Sequence, residues 1–203
     1  MGKAIKTINE FSRNIAKRMG KEEVYSAYDL EWRKDVTGRT VHEGDRIDLG
    51  DLEAFILEVP GHSSCSIGAY VPQLKALFPS DGGGIPFKDT IIASGNSNYT
   101  QFQQSLEKLK DFQVEYVCAD HYGYITGEEA RNFIPRSIEM AREQRARIEK
   151  VYRSTKDIDQ SAKALVASIY DENPDYFLSP EITYEVFRQM VRHIASAIER
   201  NAS

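Results

Sequence analysis

Ile5, Ile8, Phe11, Ile15 and Met19 recur at steps of three and four, the single apolar stripe of an amphipathic helix over residues 3–19, and Gly20 supplies its stop. After a polar stretch holding Trp32, the period shortens to that of strands. Asp45–Leu49 and Leu52–Val59 flank Gly50-Asp51, a dipeptide that accepts the positive dihedral angles of a tight hairpin. Ser66–Val71, a break at Pro72 and Lys75–Phe78 extend the pattern, so residues 40–78 predict a meander. Ile91-Ile92 reads as a further short strand. Asn98 is placed to cap a helix from Tyr99 to Phe112 whose Phe102, Leu106 and Leu109 share one face, and Val114–Cys118 is a brief strand.

Beyond that point the pattern is helical. Thr126 and Glu129 have the spacing of a capping box, and a long helix follows, disturbed at Pro135. Asp159–Tyr170 and Pro180–Arg200 predict two more, the last carrying Ile182, Val186, Met190, Ile194 and Ile198 on one stripe. No internal repeat interrupts this order. The fold class read from periodicity is α+β, one compact unit with a helical tail.

Composition narrows the function classes. The 203 residues carry 31 acidic and 26 basic side chains, a net charge of -5, which argues against a nucleic-acid partner bound through its phosphates. No apolar run approaches the roughly 18 residues of a membrane span, and the start, Met1-Gly2-Lys3-Ala4-Ile5-Lys6, lacks a leader's apolar core. A cytoplasmic protein without a membrane or nucleic-acid partner is expected, with Cys65 and Cys118 as ordinary thiols.

Three loops stand out as chemistry. Pro60-Gly61-His62, Pro79-Ser80-Asp81-Gly82 and Asp120-His121-Tyr122-Gly123 each follow a strand-like run and present a metal-competent side chain beside turn residues. Two imidazoles and one carboxylate suit zinc, iron or manganese, and a strand end is a rigid place from which to aim them. Separated by 19 and 40 positions, they act together only if the fold makes them converge.

Taken in order, these landmarks resemble the C-terminal half of the metallo-β-lactamase-fold hydrolases. The matching series is Glu43-Gly44-Asp45 with Leu49-Gly50, Pro60-Gly61-His62, Leu77-Phe78 with Asp81, the helix holding Ser105-Leu106-Glu107-Lys108-Leu109, and Asp120-His121-Tyr122-Gly123, over roughly residues 36–135. The resemblance implies half of an αββα sandwich over residues 1–135, followed by a helical extension packed on it over 136–203, with helices over the site mouth. It also implies a two-metal site, zinc by default, in which His62 and His121 each complete one ion's coordination and Asp81 bridges the pair, about 3.5–4 Å apart. In such relatives a small ester, thioester, lactone, amide or phosphodiester substrate is hydrolysed. Asp81 and Tyr122 are the catalytic candidates, with Tyr122 or Tyr124 placed to donate to a substrate oxyanion.

The sequence also departs from the family. The upstream His-x-His-x-Asp-His motif has no counterpart, since the four histidines are His42, His62, His121 and His193. Cys65, Ser80 and Asp120 stand where glycines are usual, and Asp120 is a candidate partner for an imidazole. The expectation is that Met1 falls partway through a domain. A retained sheet would then present an apolar face, made by residues such as Phe55, Leu57, Ile67 and Val71, to a dimer mate, a complementing N-terminal half or the C-terminal helices.

Plainer roles compete. His62 alone is a turn histidine, Asp81 a turn or cap aspartate and His121 a solvent-facing loop residue; His42 and His193 read as flank and surface groups. Gly82-Gly83-Gly84 lacks the Gly-Lys-Ser/Thr ending of a phosphate cradle, and the mixed charges of 142–150 make a solvated helix face. The functional expectation is a metal-dependent hydrolase, and the alternative is a non-catalytic binding or dimerisation module without a complete metal site.

Overall fold

The computed structural model describes residues 2–27, 31, 38–121, 123–176 and 178–202. Trp32 and Tyr122 lie outside the described residues. The chain divides into two compact units, Met1–Thr40 and Val41–Ser203. The first contains helices α1 (Gly2–Arg18) and α2 (Glu22–Ala27). Met19, the last member of the expected stripe, is exposed past the end of α1.

The second unit is built on a six-stranded sheet of order β1-β2-β3-β4-β7-β8. β1 (Arg46–Asp48), β2 (Glu53–Glu58), β3 (Ile67–Val71) and β4 (Ala76–Phe78) form the expected antiparallel meander, β7 (Tyr116–Cys118) joins β4 in parallel, and β8 (Tyr124–Thr126) closes the order antiparallel to β7. Between β4 and β7 the chain makes a two-stranded hairpin, β5 (Ile85–Phe87) with β6 (Thr90–Ile92), and helix α3 (Tyr99–Leu109). Three helices follow: α4 (Gly127–Thr155), α5 (Ile158–Glu172) and α6 (Pro180–Ala202). Position 135, where the sequence reading divides the chain, lies inside α4, which holds Pro135 without ending there. The hydrogen bond that proline forfeits is offset by a long buried face that includes Phe133, Ile134, Ile138 and Ala141.

Two apolar cores result. Leu57, Val59, Leu77 and Val117 on one sheet face meet Phe102, Leu106 and Leu109 of α3 and Phe133, Ile134 and Ile138 of α4. The second core lies among helices, where Ile148 and Tyr152 meet Leu165, Phe187, Met190, Val191 and Ile194 around Tyr99. Burial raises the Tyr99 phenol well above its ordinary value.

The expected single apolar face does not exist as drawn. Phe55 pairs with Tyr70 and Leu57 with Gly68, so odd positions of β2 share a face with even positions of β3. Phe55 and Leu57 therefore belong to the face that α3 and α4 cover, whereas Ile67 and Val71 lie on the other. That opposite face carries a small cluster of Ala54, Val71 and Ala76, and it also leaves Ile67, Phe78, Tyr116 and Tyr124 exposed. Thr126 does stand at the start of α4, but its side chain makes no capping hydrogen bond, so the capping box is not formed. Asn98 does cap α3, accepting from the Gln101 backbone N–H at 3.1 Å.

The face assignment predicts unequal costs for neighbouring residues of β4. Leu77→Ala, at a fully buried position, should lose about 2–5 kcal/mol of unfolding free energy, and Phe78→Ala, 43% exposed, less than about 1 kcal/mol. Urea denaturation of the two variants checks this; equal losses would mean that the faces are assigned wrongly.

Candidate metal centre

Sheet topology explains why residues so far apart in sequence meet. β2 and β4 are each antiparallel to β3, and β7 is parallel to β4, so all three run the same way and end at the same edge of the sheet. Each strand is followed directly by one of the three loops. His62 lies in the turn after β2, Asp81 in a short 3-10 turn (Ser80–Gly83) after β4, and His121 just after β7.

The three side chains converge on Asp81. Its Oδ2 lies 3.5 Å from His62 Nε2 and its Oδ1 lies 3.3 Å from His121 Nε2. His62 Nδ1 is 2.8 Å from the Ser94 carbonyl, an acceptor only, so Nδ1 carries a proton and the neutral ring would turn an Nε2 lone pair towards the carboxylate. In that neutral form two acceptors face each other and repel unless a cation, or a second ring proton, stands between them. The separations are long for hydrogen bonds of charged groups, about 2.7–2.9 Å, and match the spacing of about 3.4 Å between two donors of one tetrahedral zinc ion. Among the described residues no set of three or more His, Cys, Asp or Glu side chains gathers around one point as a complete metal site. The arrangement is two His–carboxylate pairs sharing one aspartate.

Close packing holds the His62 loop. Gly61 has φ +134°, and a Cβ there would stand 2.3 Å from the backbone N and Cα of Phe102, so only glycine lets the turn rest on α3. The Ser97 and Asn98 N–H groups donate to the Gly61 carbonyl at 2.9 and 3.0 Å, and the Ser105 hydroxyl donates to the Pro60 carbonyl at 2.8 Å. The other two loops are tied together. Ser80 adopts φ +53°, a left-handed conformation glycine takes without strain, and its hydroxyl donates to Asp120 Oδ2 at 3.1 Å. The polar residues at two expected glycine positions thus bond to each other, and the Asp120 carboxylate is used on Ser80.

No protein-family model matches the chain. Hydroxyacylglutathione hydrolases of Rhodospirillum rubrum and Nostoc punctiforme are each 31% identical to it, over 91 and 101 residues; the matches cover 41% and 45% of this chain and 32% and 38% of those enzymes. A metallo-β-lactamase family protein from Thermus thermophilus superposes with a TM-score of 0.59 at 15% identity, over 94% of this chain and 60% of that one. A β-lactamase domain protein from Burkholderia ambifaria gives 0.57 at 17% identity, over 78% and 47%. The chain has a metallo-β-lactamase-like fold. It spans well under half the length of the curated relatives it matches.

Within this metallo-β-lactamase fold, a cavity of about 560 Å³ opens beside the three side chains and runs between the β5–β6 hairpin and helices α4, α5 and α6. Periodicity placed the helices but gave no sign of which of their residues line it. His42 lies 3.8 Å from Glu58, and His193 is on α6, where burial and then the charges of Arg192 and Arg200 lower its pKa. Tyr124 is exposed on β8. Gly61→Ala should cost several kcal/mol, since backbone would have to move, whereas Gly50→Ala, at φ +91° with open space, should cost about 1 kcal/mol. Equal urea midpoints for these two variants would contradict the docking of the His62 turn on α3.

Proposed function

We propose that residues 1–203 contribute the second half of a metal-dependent hydrolase of small acyl or phosphoryl substrates. The observation that carries this reading is the single carboxylate of Asp81 offering one oxygen to each of two imidazoles at donor-to-donor spacing. His62 and Asp81 would hold one divalent cation, and Asp81 and His121 a second, with zinc the first choice and iron or manganese compatible with the same donors. When bound, such ions supply Lewis acidity and bring a water molecule to reactive pKa near neutrality, chemistry that cleaves esters, thioesters, lactones and phosphodiesters.

The chain's own residues set the geometry for that chemistry. The Ser94 carbonyl keeps the His62 proton on Nδ1, and the Gly61 turn fixes the ring's place over the sheet edge. Ser80 and Asp120 hold the Asp81 and His121 loops at a constant separation. Two donors per ion fall short of the three protein ligands usual for catalytic zinc, and no His-x-His pair exists in the chain. The remaining donors are assigned to polypeptide outside these residues, either a preceding half or a partner chain, which would also cover the exposed Ile67, Phe78 and Tyr116 face of the sheet. The lack of that pair equally favours a second reading, a binding or dimerisation module with no complete metal site.

Zinc titration by calorimetry separates the two. The chain should bind zinc with an affinity that falls about tenfold or more in each of His62→Ala, Asp81→Ala and His121→Ala, while His193→Ala binds as the parent does. No measurable binding, or equal binding in all four variants, would favour the non-catalytic module.

A further inference from the structure

The cavity beside His62, Asp81 and His121 has two unlike sides. Ile85, Ile91, Ile169, Ile182, Val186 and Met190 give it an apolar wall from the hairpin, α5 and α6. From α4 the lining takes Met140, Gln144 and Arg147, spaced four and three residues apart and hence on one helix face. The volume is within the range of about 300–1,000 Å³ usual for small-molecule sites.

Two features of the α4 side restrict what enters. Arg147 is already engaged: its guanidinium donates to Glu172 at 2.5 and 3.2 Å and to the Ser168 hydroxyl at 2.5 Å, and it holds the Glu172 carboxyl below its ordinary pKa. In the metal-free chain Asp81, Glu143 and Glu172 then leave the lining acidic overall, against one guanidinium. Gln144 is the opposite case. Its side-chain Nε2 is buried with no hydrogen-bond partner among the described residues. A buried amide donor left empty is costly, and the terminal torsion of glutamine is soft enough to turn the NH2 group onto the cavity.

We propose that this chamber binds an uncharged acyl chain carrying one oxygen along its length, with Gln144 as the residue that recognises that oxygen. The hydrocarbon lies against the α5–α6 wall, the oxygen accepts from the Gln144 amide, and in the metal-free chain the acidic lining turns away acyl groups that end in a carboxylate. The inference deepens the hydrolase reading and rests on it for the direction of the scissile bond, which faces His62, Asp81 and His121. Binding itself needs no metal.

The test is calorimetric binding to the whole chain in the presence of a chelator, so that no turnover occurs. The probes are N-acetylcysteamine thioesters of octanoate, of its 3-, 5- and 7-oxo derivatives, and of adipate joined at one end. The plain octanoyl compound should bind, at least one oxo derivative about tenfold more tightly, and the adipoyl compound about tenfold more weakly than octanoyl. Gln144→Leu should bring the oxo compounds down to the octanoyl value, and Ile182→Trp, which fills the chamber, should abolish binding of all of them. Circular dichroism and an unchanged zinc titration verify that each variant is folded. Absence of binding by every probe, no gain at any oxo position, a gain that survives Gln144→Leu, or adipoyl binding as tight as octanoyl would overturn the proposal. Loss of zinc binding in the parent chain with acyl selectivity intact would instead overturn the metal reading alone.

Discussion

A carboxylate facing a neutral imidazole calls for a positive charge between them, and Asp81 faces two imidazoles. His62 Nδ1 donates to the Ser94 carbonyl, so in the neutral ring Nε2 faces Asp81 at 3.5 Å as a second acceptor, and His121 stands 3.3 Å from the other oxygen. A positive charge between these groups removes the repulsion. The candidate function follows from that requirement.

The sheet meets it through direction rather than proximity in sequence. Three strands running the same way deliver three loops to one edge, and each loop is fixed by a different device. Gly61 lets one turn touch the α3 backbone, Ser80 accepts a left-handed conformation, and the Ser80–Asp120 hydrogen bond links the second loop to the third. Replacing two glycines with a bonded Ser–Asp pair trades backbone freedom for a direct tie. The helical layer adds the chamber, so that the same α4 that covers the sheet with Phe133 and Ile134 carries Gln144 and Arg147 to the cavity.

Much of this was legible in the chain. Periods of two and of three to four residues located the meander and the long helices, and the capping role of Asn98 followed from its type and place. The three loops were legible because turn residues beside a His or Asp after a strand are a local signal. What escaped was non-local. The assignment of Phe55 and Leu57 to the same face as Ile67 and Val71 failed because the register between β2 and β3 inverts parity, and register depends on the turn between them. β5 was hidden by Pro86, and β8 is only three residues long, too short for a period to show. The part of Gln144 could not be read at all, since a helix face becomes a cavity wall only when α5 and α6 pack beside it.

X-ray absorption at the zinc edge of the zinc-loaded chain tests the central claim most directly. Imidazole nitrogen and carboxylate oxygen scatterers at about 2.0–2.2 Å are predicted, with the imidazole signal reduced in His62→Ala and in His121→Ala and the oxygen signal altered in Asp81→Ala. A spectrum identical in the parent and all three variants would place the ion elsewhere and contradict the account.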